Sequence, residues 1–480
     1  MIFIKASIIS LGKTNKSLIG NSIRFFLTRF FSTAASLIVM IYFSHSLPKS
    51  EYGVYQNFWV QLTLLSSIGG MGLGLLIFTY PPEVLKSLVL HLKRKHIVVY
   101  FFILILVGLC FSMLHSADVK TWLELGLYSS LFFIFYTFSI LLESFLIAVH
   151  RHKLLIISGI AYSILFVLIG IYTFKQGFQL STFVKLLLPL SVLKVAVYLK
   201  SFTGFLTSDE AKQSTGIELK SVISLWLHLG IYDLLNVSIL WVDKFIISLV
   251  ASTTTAAIYS NGSFNIPFIP IALSAVGNAT LMQLHHAKNN VEKARLMQQV
   301  GKVLSCIAYP LFFFLLVNRT EFITFVFSSQ YAVSVPIFLC SIFILPVRAY
   351  SNTIILQNLH KGKIINIGVA IDFTVAMLLL YPLYKWQGLA GIALSFVIST
   401  YVQVFYYLFY SAKFLRVPVL SLLPLKNWTL KAVIFLSVSL GLYAVLPHSS
   451  TMMLVSGIIQ MLIALFVLRY ENKNNHALQK

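Results

Sequence analysis

The sequence predicts an all-α polytopic membrane protein with about fourteen transmembrane helices. Of its 480 residues, 58% are hydrophobic and 10% are charged, and the mean hydropathy is +0.87. Soluble domains carry about 25% charged residues, so this composition excludes an ordinary soluble fold. Apolar runs of about 20 residues, the length that spans a bilayer as a helix, recur along the whole chain. No loop between them is long enough to form a soluble catalytic domain.

The spans follow from these apolar runs in order. They lie at about 17–44, 56–80, 97–115, 122–148, 154–174, 180–200, 222–250, 256–284, 300–327, 334–357, 364–384, 388–412, 428–446 and 451–470. Twelve spans are the alternative if the last two are misread. Both numbers are even, so both termini are expected on the same side of the membrane.

The basic residues predict which side that is. With the N-terminus in the cytoplasm, most of the 36 Lys and Arg residues fall in cytoplasmic segments. The outer loops then hold Lys49, Lys120, Lys175, Arg319 and Lys385. This asymmetry is the positive-inside pattern, and it predicts cytoplasmic termini. It also accounts for most of the net charge of +22, which would otherwise suggest a nucleic-acid partner. We therefore expect no nucleic acid to bind.

Motifs for catalysis and cofactor binding are missing from the sequence. It contains no GxxxxGK[ST], HExxH or GxSxG pattern. Cys110, Cys306 and Cys340 lie in apolar runs, where cysteine usually serves as a small buried hydrophobe. We expect no catalytic residues, no metal, no cofactor and no enzymatic activity.

Two weak internal matches indicate a repeat. FLIAVHRHKLL matches ILQNLHKGKII, with His150 opposite His360 at an offset of 210. FSHSLPKSEYGVY matches ISLVASTTTAAIY at an offset of 204. Six spans separate the matched positions, so two parallel six-helix repeats are expected around a central cavity. The predicted lobes are residues 1–205 and 206–415, and residues 416–480 add two spans and a short tail.

Ionisable residues at membrane depth are the candidates for function, because such residues usually face a bundle interior or a wet cavity. They are Arg29, Lys185, Asp233, Asp243, Lys244, Arg348 and Asp372, with Arg24 and Glu143 nearer the cytoplasmic ends. Helical spacing groups Arg29 with Ser32, Thr33 and Ser36, and Arg348 with Ser341 and Asn352. Asp243 and Lys244 are adjacent, so they are expected to point about 100° apart and not to pair.

Two interpretations of these charges remain open. In the first, Arg29, Arg348, Lys185, Lys244 and Arg24 line a cationic cavity and bind phosphate, the arginines in bidentate fashion. Asp233, Asp243 and Asp372 then balance charge or carry a coupling ion. In the second, the same side chains form structural ion pairs or extend to the headgroup layer.

Three stretches resemble one family. FFLTRFFSTAASLIVMIYFSHSLPKSEYGVYQNFWV, from residue 25, resembles the first span and loop of the polysaccharide exporters and O-antigen flippases. WVDKFIISLVASTTTAAIYS, from residue 241, resembles the counterpart in the second half, with Ala257 in place of a glycine. GKIINIGVAIDFTVAMLLLYPLYKWQGLAGIALSFVIS, from residue 362, resembles the C-terminal signature.

The resemblance implies a fold and an activity. The fold is that of the multidrug/oligosaccharidyl-lipid/polysaccharide exporter superfamily. The implied activity is translocation of an undecaprenyl-diphosphate-linked oligosaccharide, an O-antigen, capsule or exopolysaccharide repeat unit, across the bacterial inner membrane. The implied partners are this lipid-linked anionic substrate, membrane lipid and polysaccharide polymerase or assembly proteins.

The alternatives have different substrates or a different chemistry. A flippase for the lipid-linked peptidoglycan precursor fits the span count. A multidrug or cation antiporter of the same fold would favour acidic residues in the N-terminal lobe, where this chain has Arg29. A membrane glycosyltransferase or ligase would need acidic catalytic residues or large outer loops, which the sequence lacks.

Overall fold

The computed structural model describes residues 16–80, 82–114, 122–207, 219–264 and 289–477, with scattered residues between 266 and 287. Within these ranges the chain is helical and has no β-strand. Eleven described helices are long and apolar enough to cross a membrane, and a bent pair adds a twelfth. The predicted span at 256–284 lies partly outside the described residues. Fourteen spans and cytoplasmic termini stay predictions.

Internal contacts divide the chain into two compact bodies, one formed by residues 23–257 and one that contains residues 258–480. The N-terminal body is built from α1 (Lys16–Ser46), α2 (Lys49–Gly70), α3 (Leu73–Thr79), α4 (Pro82–Leu90), α5 (Arg94–Met113), α6 (Leu127–Ala148), α7 (His152–Lys175), α8 (Leu180–Thr207), α9 (Leu219–Val250) and α10 (Thr253–Gly262), whose end belongs to the other body. The boundary at 205/206 was predicted between two sequence repeats, and it stays a prediction.

The C-terminal body holds the remaining helices. They are α11 (Asn290–Val317), α12 (Arg319–Phe327), α13 (Val335–Ile342), α14 (Ile354–Asn358), α15 (Gly362–Gln387), α16 (Leu389–Leu415), α17 (Leu425–Val445) and α18 (Ser450–Ala477). The helices α15 and α16 pack against each other as a hairpin, and α17 and α18 both pack against α11. The last two helices are therefore an integral part of this body.

A bend of 53° separates α2 from α3, and α9 packs against it. Met71 and Gly72 both take the left-handed conformation there. A methyl group added to Gly72 would lie 2.4 Å from the Cα atom of Gly230 on α9, so the two backbones touch. The indole Nε1 of Trp226 donates a hydrogen bond of 2.7 Å to the carbonyl oxygen of Met71. The bend is thus stabilised by α9.

The predicted span at 334–357 is interrupted. The helix α13 ends at Ile342, and after a short turn a 3₁₀ segment covers Pro346–Ala349. Pro346 cannot donate a main-chain hydrogen bond, and its ring would clash with a continuing helix. The Tyr401 hydroxyl donates a hydrogen bond of 3.0 Å to the carbonyl oxygen of Phe343 at the interruption. The prediction that Ser341, Arg348 and Asn352 share one face of a continuous helix was wrong for this reason.

The matched sequences at an offset of 210 form the same turn. His150 and His360 follow α6 and α14, and both take a positive φ, 59° and 54°. The following amide, of Arg151 or Lys361, bonds back to the carbonyl five residues earlier at 2.9 and 2.8 Å. Such a left-handed residue closes a helix end by satisfying its last carbonyls. The two turns that the sequence match aligns therefore have the same backbone conformation.

Candidate functional site

Three charged side chains meet in the N-terminal body, and we call them the Glu143 cluster: Arg29 from α1, Glu143 from α6 and Lys194 from α8. The Glu143 carboxylate lies 3.8 Å from the Arg29 Nε and 3.4 Å from the Lys194 Nζ. Its two oxygens are divided between the two cations. The three helices thereby converge on a single carboxylate, and the cluster carries a net charge of +1.

The side chains of the cluster differ in exposure. Arg29 is 44% exposed, whereas Glu143 is 17% and Lys194 is 13% exposed. The ammonium of Lys194 also lies over two rings, 4.8 Å from the Tyr162 centroid and 5.5 Å from the Tyr198 centroid. Rings at this distance attract a cation through their quadrupoles. Lys194 is therefore a partly buried charge that lies over two aromatic rings, and Arg29 is the more exposed cation.

The polar stripe expected beside Arg29 is present on α1. The helix continues through Ser32 and Ser36 without interruption, and the Ser36 hydroxyl donates to the Ser32 carbonyl at 3.0 Å. The side chains of Arg29, Ser32 and Ser36 are not buried. An exposed guanidinium with hydroxyl neighbours can bind a phosphate or carboxylate through two parallel N–H donors.

The other N-terminal residues that were predicted to bind phosphate are not part of the Glu143 cluster. Lys185 is exposed on α8, with its ammonium 5.0 Å from the Tyr128 ring centroid. Lys244 is buried on α9 and lies 5.7 Å from the Trp241 ring centroid. Arg24 lies on α1, and its side chain is outside the described part of the structure. Lys185 and Lys244 thus each lie beside an aromatic ring of the N-terminal body.

Asp243 and Lys244 do pair, and the prediction that they would not was wrong. The Lys244 Nζ lies 3.5 Å from the Asp243 Oδ2, and both residues are buried. The angle of about 100° applies to the Cα–Cβ directions, whereas a lysine side chain has four carbons with which to fold back. Burial strengthens the attraction. Asp233, on the same helix, is partly buried.

Arg348 and Asp372 both lie in the C-terminal body. Asp372 on α15 is 2% exposed and accepts a hydrogen bond of 2.6 Å from the Ser399 hydroxyl on α16. Arg348 lies in the 3₁₀ segment after the interrupted helix. Because the helix is interrupted, Arg348 lies in a 3₁₀ segment and not in the straight helix that the sequence predicts.

Two further lysines take part in ion pairs that residue spacing does not predict. Lys194 lies in the middle of α8, and Lys431 is buried on α17. The Lys431 Nζ lies 3.2 Å from the Glu471 Oε1. A signal was available, because Glu143 is an isolated acid in an apolar run. No cluster of metal-ligating side chains occurs in the described ranges.

The arrangement of helices is shared with solved structures of membrane transporters. Solved structures with this arrangement of helices include several transporters of the MOP superfamily, and the chain has that superfamily's fold. Among them is a lipid II flippase MurJ in an inward closed conformation, with a TM-score of 0.67 and 15% identity over 96% of this chain and 99% of that one. The identity is low, so the likeness concerns the fold.

Two other solved transporters match less of the chain. A point mutant of the Vibrio cholerae MATE transporter VcmN has a TM-score of 0.57 and 13% identity over 87% of this chain and 98% of its own. A MOP superfamily transporter from Pyrococcus furiosus, described as having a binding pocket of reverse polarity, has a TM-score of 0.55 and 14% identity over 85% and 98%. No protein-family model and no curated protein matches the sequence.

Proposed function

We propose that this protein is a flippase that carries an undecaprenyl-diphosphate-linked oligosaccharide across the bacterial inner membrane by alternating access. The observation that carries the proposal is Arg29, an exposed guanidinium in a membrane-spanning helix of a protein with the MOP superfamily fold. A charge at the centre of a membrane span costs about 2.5–3.5 kcal/mol even on insertion scales, so an arginine in an apolar helix indicates a function. A diphosphate is the kind of ligand that such a cation binds.

The chemistry of this substrate suits the charges of the chain. A diphosphate needs cations, an oligosaccharide needs a wet cavity, and the lipid tail remains in the bilayer. Arg348, Lys185, Lys244 and Arg24 are the further proposed contacts for the phosphates. Asp233, Asp243 and Asp372 are proposed to balance charge or to couple an ion. Outward movement of an anion is also favoured by an inside-negative potential, by about 2.3 kcal/mol per charge per 100 mV.

The test is complementation in a bacterial strain that lacks this exporter, with surface polysaccharide as the readout. Arg29→Ala should abolish the polysaccharide at normal membrane levels of the protein, and Arg29→Lys should restore part of it. Arg319→Ala is the matched control, because the Arg319 guanidinium donates to the Leu316 carbonyl at a helix end. Normal polysaccharide with both Arg29 variants would refute the proposed role of this residue.

A second candidate is a flippase for lipid II, the peptidoglycan precursor. The observation that favours it is coverage, since the MurJ structure matches 96% of the chain and the MATE transporters match 85–87%. This candidate predicts that the gene rescues a strain depleted of its own lipid II flippase. Rescue of growth without any effect on surface polysaccharide would favour the second candidate. A multidrug antiporter, the third alternative, would instead change drug resistance.

A further inference from the structure

Glu143 lies beside the guanidinium to which an anionic ligand of Arg29 would bind. Its Oε1 lies 3.8 Å from the Arg29 Nε, so a phosphate bound to this guanidinium would lie beside a carboxylate. Two like charges a few ångströms apart repel each other, by about 4 kcal/mol at 4 Å with an effective dielectric constant of 20. An anion can therefore bind Arg29 firmly only if the carboxylate moves or is neutralised.

Lys194 offers the carboxylate a second partner. The Lys194 Nζ lies 3.4 Å from the Glu143 Oε2, closer than Arg29 is to Oε1. Lys194 is the more buried cation, and the Tyr162 and Tyr198 rings support its ammonium. Glu143 can therefore leave Arg29 without becoming an unpaired charge. The buried lysine and the exposed arginine are not equivalent, and this difference gives the movement a direction.

We propose that Glu143 is an internal competitor for Arg29, which the substrate's anionic group displaces toward Lys194 on binding and which returns to Arg29 on release. This inference rests on the proposed function, and it adds a residue that sets how tightly the anion is held. Translocation requires binding that is strong enough for capture and weak enough for release. A carboxylate beside the site lowers the affinity, and it also neutralises Arg29 when the site is empty.

The test uses the full-length protein in detergent and inorganic pyrophosphate as the probe, with affinity measured by titration calorimetry. Glu143→Gln should bind pyrophosphate about tenfold more tightly than wild type, which corresponds to about 1.4 kcal/mol. The matched control is Glu292→Gln, which removes the same charge from an exposed carboxylate on α11 in the C-terminal body. This control should leave the affinity unchanged.

A second variant keeps the inference testable if Glu143→Gln does not fold. Glu143→Gln leaves the Lys194 charge without its carboxylate, so Glu143→Gln with Lys194→Met removes both charges together. The double variant should still bind pyrophosphate more tightly than wild type, because Glu143 is the group in contact with Arg29. In cells, Glu143→Gln should also lower surface polysaccharide, since release becomes slower.

The outcomes separate the two proposals. If Arg29→Ala loses pyrophosphate binding but both Glu143 variants bind as wild type does, the competitor role is wrong and the anion site stands. If Arg29→Ala binds pyrophosphate as tightly as wild type, the anion site itself fails. Weaker binding by both Glu143 variants would also overturn the inference, because it would make the carboxylate a positive contributor to the site.

Discussion

The buried pair of Lys431 and Glu471 gives a prediction about stability. These side chains are 3% and 11% exposed, and their charged atoms lie 3.2 Å apart. The Lys431 Nζ also donates to the Lys302 carbonyl at 2.6 Å and to the Ser305 hydroxyl at 3.2 Å. The pair therefore connects α17 and α18 with α11. We expect either single substitution, Lys431→Met or Glu471→Gln, to destabilise the protein.

The expected magnitude follows from burial. Removing one partner of a buried ion pair leaves an uncompensated charge and costs about 3–5 kcal/mol. The contacts with Lys302 and Ser305 remain in Glu471→Gln, so this variant should fall at the lower end, about 3 kcal/mol. The double variant leaves no unpaired charge, and replacing a whole buried pair is often neutral or stabilising. Its loss should therefore be smaller than that of either single variant.

The assay is equilibrium unfolding in mixed micelles with increasing sodium dodecyl sulfate, followed by tryptophan fluorescence. Lys385→Met is the matched control, because Lys385 is exposed at the end of α15 and lies over the Tyr381 ring. We expect the control to change the free energy of unfolding by about 0.5 kcal/mol or less. Single variants as stable as this control would refute the reasoning, as would a double variant that loses the sum of the two single losses.

Three further predictions concern the helix contacts and the topology. Gly72→Ala should destabilise the N-terminal body by about 1–3 kcal/mol, because the methyl group meets the Gly230 backbone at 2.4 Å and the φ angle is +67°; the same unfolding assay measures it. Ser399→Ala should cost about 1–3 kcal/mol by removing a donor from the buried Asp372 carboxylate, and an unchanged unfolding midpoint would contradict the hydrogen bond. A fluorescent protein fused after Lys480 should fluoresce and alkaline phosphatase fused there should be inactive, because the positive-inside pattern predicts a cytoplasmic C-terminus.

Hydropathy was sufficient to predict an all-helical protein with many membrane-spanning helices, because a bilayer imposes a length and a polarity on each span. It predicted the span at 154–174, and α7 covers His152–Lys175. It could not predict the interruption at 343–353, where a proline in an apolar run ends one helix and a 3₁₀ segment follows. Prolines also lie inside α8, α11 and α15 without ending them, so the outcome depends on tertiary contacts.

The candidate site was predictable in part. Arg29 stood out because an arginine in an apolar run is costly. Its partner did not, because Glu143 lies 114 residues away in the sequence and spacing relates only residues of one helix. The pairing of Asp243 with Lys244 was excluded by a helical-wheel argument that ignored side-chain length. Which charges of different helices meet is decided by how the helices pack, and residue spacing along one helix does not predict that packing.

The contact between Gly72 and Gly230 restricts how this sequence can diverge. Each glycine faces the backbone of the other helix, so a side chain at either position meets main-chain atoms, which cannot turn away as a side chain can. Met71 and Trp226 share the same crossing through a hydrogen bond from the indole to a carbonyl, and the carbonyl is present whatever residue occupies position 71. Among homologues that keep this crossing, positions 72 and 230 should both remain small, while position 71 should accept any residue that tolerates the left-handed conformation.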